Sequence, residues 1–175
     1  LRVQIAAYLK SFRGMNVNPK QIVVGAGSEY LTGLIIQLLG RERSYGIENP
    51  GYGKLNQVFK SNRAEFCSVA LDEYGMLPEA LYGSKADIAC VTPSHQFPTG
   101  VIMPISRRLQ LLNWANEKSG RYIIEDDYDS EFKYTGKPIP SMQGIDGEEK
   151  VIYIGAFSKS FTPAIRISYM VLPEH

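Results

Sequence analysis

RYIIEDDYD, residues 121–129, is the stretch on which the fold turns. Arg121 to Ile124 reads as a short buried strand that runs into the acids Glu125, Asp126, Asp127 and Asp129. Upstream, Ile105, Leu109 and Leu112 mark a helix that Gly120 closes. Before that helix, Ala86 to Val91 is a run of strand length that is apolar except for Asp87, and Lys150 to Ile154 reads as a further strand after the acids. Apolar strands separated by helices are the pattern of a parallel sheet covered on both faces.

The alternation extends to both ends. Residues 1–13 place Val3, Ala6, Ala7 and Leu9 at roughly helical spacing before Gly14 stops the helix. Gln21 to Val24 reads as a strand, and Gly25-Ala26-Gly27-Ser28 breaks it. A helix follows from Ser28 to Leu39, with Ser28 a good N-cap type. Residues 44–48 predict a strand, Asn49-Pro50-Gly51 a turn, Tyr52 to Lys60 a helix and Glu65 to Ala70 a strand. Thr92 to Pro104 is a Pro-rich loop, Pro138 to Glu149 a loop, and Ile167 to Leu172 a last strand. The expectation is one α/β unit over 1–175, a mostly parallel central sheet with helices on both faces.

The chain's 175 residues are enough for a domain with a real core. A net charge of +1 gives no support for nucleic-acid or membrane binding by this segment. The longest apolar runs, such as Leu34 to Ile36, are too short to span a bilayer, and no signal peptide is visible. Cys67 and Cys90 stand apart, as reduced thiols in or near the core of a cytoplasmic protein do. His95 and His175 lack metal-ligand spacing, so no metal site is expected.

Open α/β sheets bind ligands beyond the carboxyl ends of their strands, and the chemistry-bearing residues cluster there. Gly25-Ala26-Gly27-Ser28-Glu29 joins a strand to a helix, where backbone N–H groups and the helix dipole favour an anion. By itself this motif is weak, since Tyr30 breaks a G-x-G-x-x-G, and a plain turn is the default. Lys159 follows a buried strand, with Ser158, Ser160 and, seven residues on, Arg166. Partial desolvation and nearby positive charge make such an amine nucleophilic toward an aldehyde. Arg166 could also pair with a phosphate. The acids from Glu125 to Asp129 read mostly as solvated loop residues. One carboxylate against a pyridine nitrogen would nevertheless complete a site for pyridoxal 5'-phosphate (PLP), with Tyr128 as a donor to the ring oxygen. Tyr52, after its turn, could stack on the ring.

The segments GAGSEYL (25–31), ENPGY (48–52), TPSHQFPTG (92–100), IEDDYDSEF (124–132) and GAFSKSFTPAIRISYMVLP (155–173) occur in an order that resembles the fold-type-I PLP-dependent aminotransferases. Within them the wording resembles the aminotransferase-like domain of MocR/GabR-type regulators of the GntR family. The resemblance implies PLP held as an internal aldimine on Lys159, with Asp126 at the pyridine nitrogen and Tyr128 at the ring oxygen. Asp126 is preferred to Asp127 because alternate strand residues share a face with Tyr128. It places Tyr52 on the ring and Gly27, Ser28, Glu29, Ser158 and Arg166 at the phosphate.

Three positions depart from the aminotransferase pattern. Phe97 stands where an Asn contacts the ring oxygen, leaving His95 or Gln96 to compensate. Ala156 replaces a hydroxyl residue, and Glu29 an uncharged Gln. The resemblance implies a partial large domain without the small domain, and a homodimer. DNA would be contacted only through a winged helix outside this chain. Two functions follow: a PLP-binding domain that senses an amino compound, or an aminotransferase acting on an amino acid. A PLP-free scaffold is the plain alternative. Lys54, two residues after Tyr52, could meet a carboxylate, although a solvated helix lysine is the plainer reading.

Overall fold

A computed structural model describes residues 1–129, 139–157 and 166–175. Their eight strands are β1 (Ile22–Gly25), β2 (Ser44–Asn49), β3 (Glu65–Asp72), β4 (Gly75–Met76), β5 (Ile88–Val91), β6 (Tyr122–Asp127), β7 (Val151–Ala156) and β8 (Ser168–Val171). They form one sheet in the order β1-β8-β7-β6-β5-β2-β3-β4. β3, β2, β5, β6 and β7 are parallel. β8 and β4 run against their neighbours. The helices are α1 (Arg2–Arg13), α2 (Ser28–Leu39), α3 (Gly53–Ser61), α4 (Pro78–Gly83), α5 (Ile105–Asn116) and α6 (Met142–Ile145).

Alternation along the strands divides the core. Ile124, Ile152 and Ile154 point to the face covered by α2 and α3, where Leu31, Ile35 and Phe59 meet them. Ile123 and Val151 point to the other face, against Leu111, Trp114 and Ala115 of α5. α1 lays Ile5 and Leu9 on Tyr153, Tyr169 and Ile22. Gly14 ends α1 in the left-handed conformation at φ 66°, which a residue with a Cβ adopts only under strain.

The order of strands matters for the site. From β2 the chain moves outward to β3, then returns past β2 and builds β5, β6 and β7 in the opposite direction. Crossovers on the two sides of the β2–β5 pair therefore diverge and open a crevice at the carboxyl ends of those strands.

Several expectations need correction. Ser28 is the first helical residue; Gly27 occupies the N-cap and contributes no side-chain bond. In α1, Ile5 and Leu9 face the core while Val3 is exposed. In α5, Ile105 and Leu109 are exposed and the buried face carries Arg108. Burial of Arg108 is sustained by the carbonyls of Met103, Pro93 and Pro140, which accept from its guanidinium. A charged residue thus occupies a core position that apolar periodicity cannot reveal. Residues 139–149 are not only loop: Ser141 caps the short helix α6 by accepting from the Gly144 N–H. The acids Glu125, Asp126 and Asp127 lie within β6, and Glu125, Asp127 and Asp129 are buried rather than solvated.

Candidate functional site at the strand switch

A cleft of about 110 Å³ opens at the switch between β2 and β5. Glu48 and Asn49 of β2, Thr92 after β5, Asp126 of β6 and the first residues of α2 line it, with Tyr52 at its side. The structure therefore brings Ser28, Glu29, Tyr52 and Asp126 to one cavity. Ser158 and Lys159 lie outside the described residues.

Neighbouring acids on β6 face opposite ways. Asp127 points to the α1 face, where it pairs with Arg13 at 2.7 Å and accepts from the Tyr153 hydroxyl at 2.6 Å. Glu125, on the same side, accepts the N–H groups of Met142 and Gln143, with Arg108 at 3.8 Å. Asp126 points into the cleft instead. The residue is half-buried, but its Oδ1 is shielded from solvent and has no hydrogen-bond partner among the described residues. Burial, reinforced by the charges of Asp127, Glu48 and Asp129, pushes its carboxyl up to about 7. An orphaned carboxylate of raised proton affinity is a ready acceptor for a cationic N–H.

At the other end, the backbone at Gly27 has φ 115°, and a Cβ there would sit 2.8 Å from a terminal nitrogen of Arg166. Gly27 is thus required twice, by its dihedral and by the guanidinium lying over it. Its own N–H donates to the Ser168 hydroxyl at 2.8 Å. That donor is already engaged, so an anion at this end would draw on the Ser28 hydroxyl, the α2 N-terminus and Arg166.

The Glu29 carboxylate is turned toward Tyr52, whose hydroxyl donates to it at 3.1 Å, with the Lys54 ammonium at 3.8 Å. Tyr52 meets Phe97 edge to face at 6.0 Å between ring centroids. The Tyr128 hydroxyl donates to the His95 carbonyl at 2.9 Å, and His95 Nδ1 lies 2.7 Å from the Asp129 carboxylate.

Gln96 is buried and fully employed by its own loop and by the end of β2 and the turn after it. Its amide nitrogen serves the carbonyls of Pro50 and Phe97 and the carboxylate of Glu48; its oxygen accepts from the N–H and hydroxyl of Thr99. Gln96 is therefore the fastener of the Pro-rich loop, and its carboxamide has no donor to spare for a ligand. Glu48 and Thr92 are site residues that the sequence reading missed. The available signal was an acid near the end of the strand Ser44–Asn49, directly after the apolar Ile47.

These residues fit a flat ligand with a cationic ring N–H at Asp126 and a phosphate near Ser28 and Arg166. The model of the family described as aminotransferase class I and II matches residues 1–175. The chain belongs to that family. It is 46% identical over 174 residues to the uncharacterized HTH-type transcriptional regulator YdeL of Bacillus subtilis, covering 99% of this chain and 37% of that protein. It is 36% identical over 173 residues to the HTH-type pyridoxine biosynthesis transcriptional regulator PdxR of Corynebacterium glutamicum, covering 99% and 38%. The structure of an archaeal alanine:glyoxylate aminotransferase superposes with a TM-score of 0.88 at 29% identity, over 98% of this chain and 44% of that one. The family member described here thus spans under half the length of these relatives. Among the described residues no helix is long and apolar enough to cross a membrane.

Proposed function

We propose that this chain is the PLP-binding part of an effector-sensing, aminotransferase-like domain in a GntR/MocR-type transcriptional regulator. Lys159 would hold PLP, with Asp126 at its ring nitrogen, Tyr52 against the ring and Tyr128 at the ring oxygen once its hydroxyl proton leaves the His95 carbonyl. Ser28, the α2 N-terminus, Ser158 and Arg166 take the phosphate, with Gly27 as the cradle beneath and Glu29 holding Tyr52. Bound PLP supplies an aldehyde for an incoming amine and a protonated ring that accepts electrons. The domain would sense an amino compound that takes the place of the Lys159 amine. DNA is contacted by a winged helix elsewhere in a cytoplasmic, homodimeric protein.

The observation that carries the reading is the orphaned Asp126 Oδ1 in a cleft at the strand switch. Its likeness to two HTH-type regulators supports the regulatory side. The test is spectroscopic. The intact protein with PLP develops a visible absorbance band, and Lys159→Ala does not. Absence of the band after reconstitution would overturn the reading.

A second reading is an aminotransferase acting on an amino acid, favoured by the match to the archaeal enzyme. Keto-acid release separates the two. A sensor responds to amino compounds with a single spectral change, whereas an enzyme yields keto acid over many turnovers.

A further inference from the structure

Asp126 is not the only cleft carboxylate with an idle oxygen. Glu48, the last residue but one of β2, lines the same cleft and is only 9% exposed. Its Oε2 accepts from the Thr92 hydroxyl at 2.6 Å and from the Gln96 amide at 3.2 Å. Its Oε1 is buried with no partner among the described residues. No cation pairs with Glu48 among the described residues, in contrast to Asp127, which has Arg13. A buried acid without a cation is costly, and two facing one cleft are costlier still. Such an arrangement persists where a positive charge is to be received.

We propose that Glu48 is a positioning residue for the pyridine end of the site, placing a second negative charge in the cleft that Asp126 lines so that a ring nitrogen is held in its protonated form. The proposal rests on the PLP reading above. Glu48 acts through Asp126 and through the electrostatic field of the cleft, not by touching the reacting atoms. Burial raises the proton affinity of Glu48, and its charge in turn helps raise that of Asp126. A cationic ring N–H relieves both. The hydrogen bonds from Thr92 and Gln96 hold Glu48 on the cleft wall and tie it to the loop bearing Phe97.

The experiment compares the affinity of the intact protein for PLP and for the analogue whose ring nitrogen is replaced by carbon. The unaltered protein prefers PLP. In Glu48→Gln that preference falls about tenfold, the equivalent of one pKa unit at the ring nitrogen. Affinity for the carbon analogue stays within about twofold. Glu48→Met is a second neutral variant, so that one folded protein is sufficient, and circular dichroism verifies folding. Glu48→Asp keeps the charge and retains the preference. An unchanged preference in a folded neutral variant overturns the proposal. So does equal weakening toward both compounds, which marks a purely structural role. If the unaltered protein binds neither compound, the PLP reading itself has failed.

Discussion

Asp126 and Asp127 share a peptide bond and almost nothing else. Strand alternation sends one side chain to Arg13 and Tyr153 and the other into the cleft. For Asp126 the sign of its effect on stability follows from its raised proton affinity. The folded PLP-free protein binds its proton more tightly than the unfolded chain. That contribution is full below the usual carboxylate range near pH 4 and is lost as pH rises through about 7. Asp126→Asn is therefore expected to stabilise the PLP-free protein by on the order of 2 kcal/mol near pH 8 and to change little near pH 4. Thermal melts of both proteins at the two pH values read this directly; a variant less stable than the parent near pH 8 contradicts it. Gly27→Ala is expected to act oppositely, destabilising by about 1–3 kcal/mol at any pH. Its positive φ and the Arg166 contact leave no room for a methyl group. Urea denaturation measures the loss.

At the scale of elements, α1 is tied to the site strand from behind. Arg13, at the end of that helix, reaches Asp127 on β6 and the Ser94 hydroxyl in the loop after β5. Removing it leaves a buried carboxylate with Tyr153 as its remaining donor among the described residues. Arg13→Ala is expected to cost about 3–5 kcal/mol in denaturant unfolding. Replacing the pair together, as Arg13→Met with Asp127→Asn, is expected to recover most of that, because neither charge is then stranded. A double variant as unstable as Arg13→Ala would show that packing of the arginine stem, not its charge, matters. The Pro-rich loop is a second such element. Gln96 makes five hydrogen bonds, three to Phe97 and Thr99 within the loop and two to Glu48 and Pro50 outside it, which shape the loop and seat it on β2.

For the whole molecule, binding and stability are one quantity. PLP at about a hundred times its dissociation constant is expected to stabilise the folded protein by about 2.7 kcal/mol, and Lys159→Ala to lose most of that gain at the same concentration. Differential scanning fluorimetry across a PLP titration checks it; equal gains in both proteins would remove Lys159 from the site. Much of this architecture was legible beforehand. The short apolar runs Ile88 to Val91 and Val151 to Ile154 are interior strands with both faces buried, each pairing in parallel with β6. Ser28, Glu29, Tyr52 and Asp126 were legible as site candidates because strand ends bear ligands, and they do line one cleft. Helix faces were not: Ile105 and Leu109 are apolar yet exposed, while Arg108 is charged yet buried against carbonyls.

By itself, then, the sequence determined the alternation of elements, the two-faced sheet and the family, since hydrophobic period and motif order are local properties of the chain. Tertiary structure alone decided which carboxylates are paired and which are left waiting. Arg13 reaches Asp127 across more than a hundred residues of chain, and Glu48 and Asp126 share one cleft only because β5 joins β2 to β6 at the strand switch. Charge compensation depends on distance in space, which residue spacing does not encode.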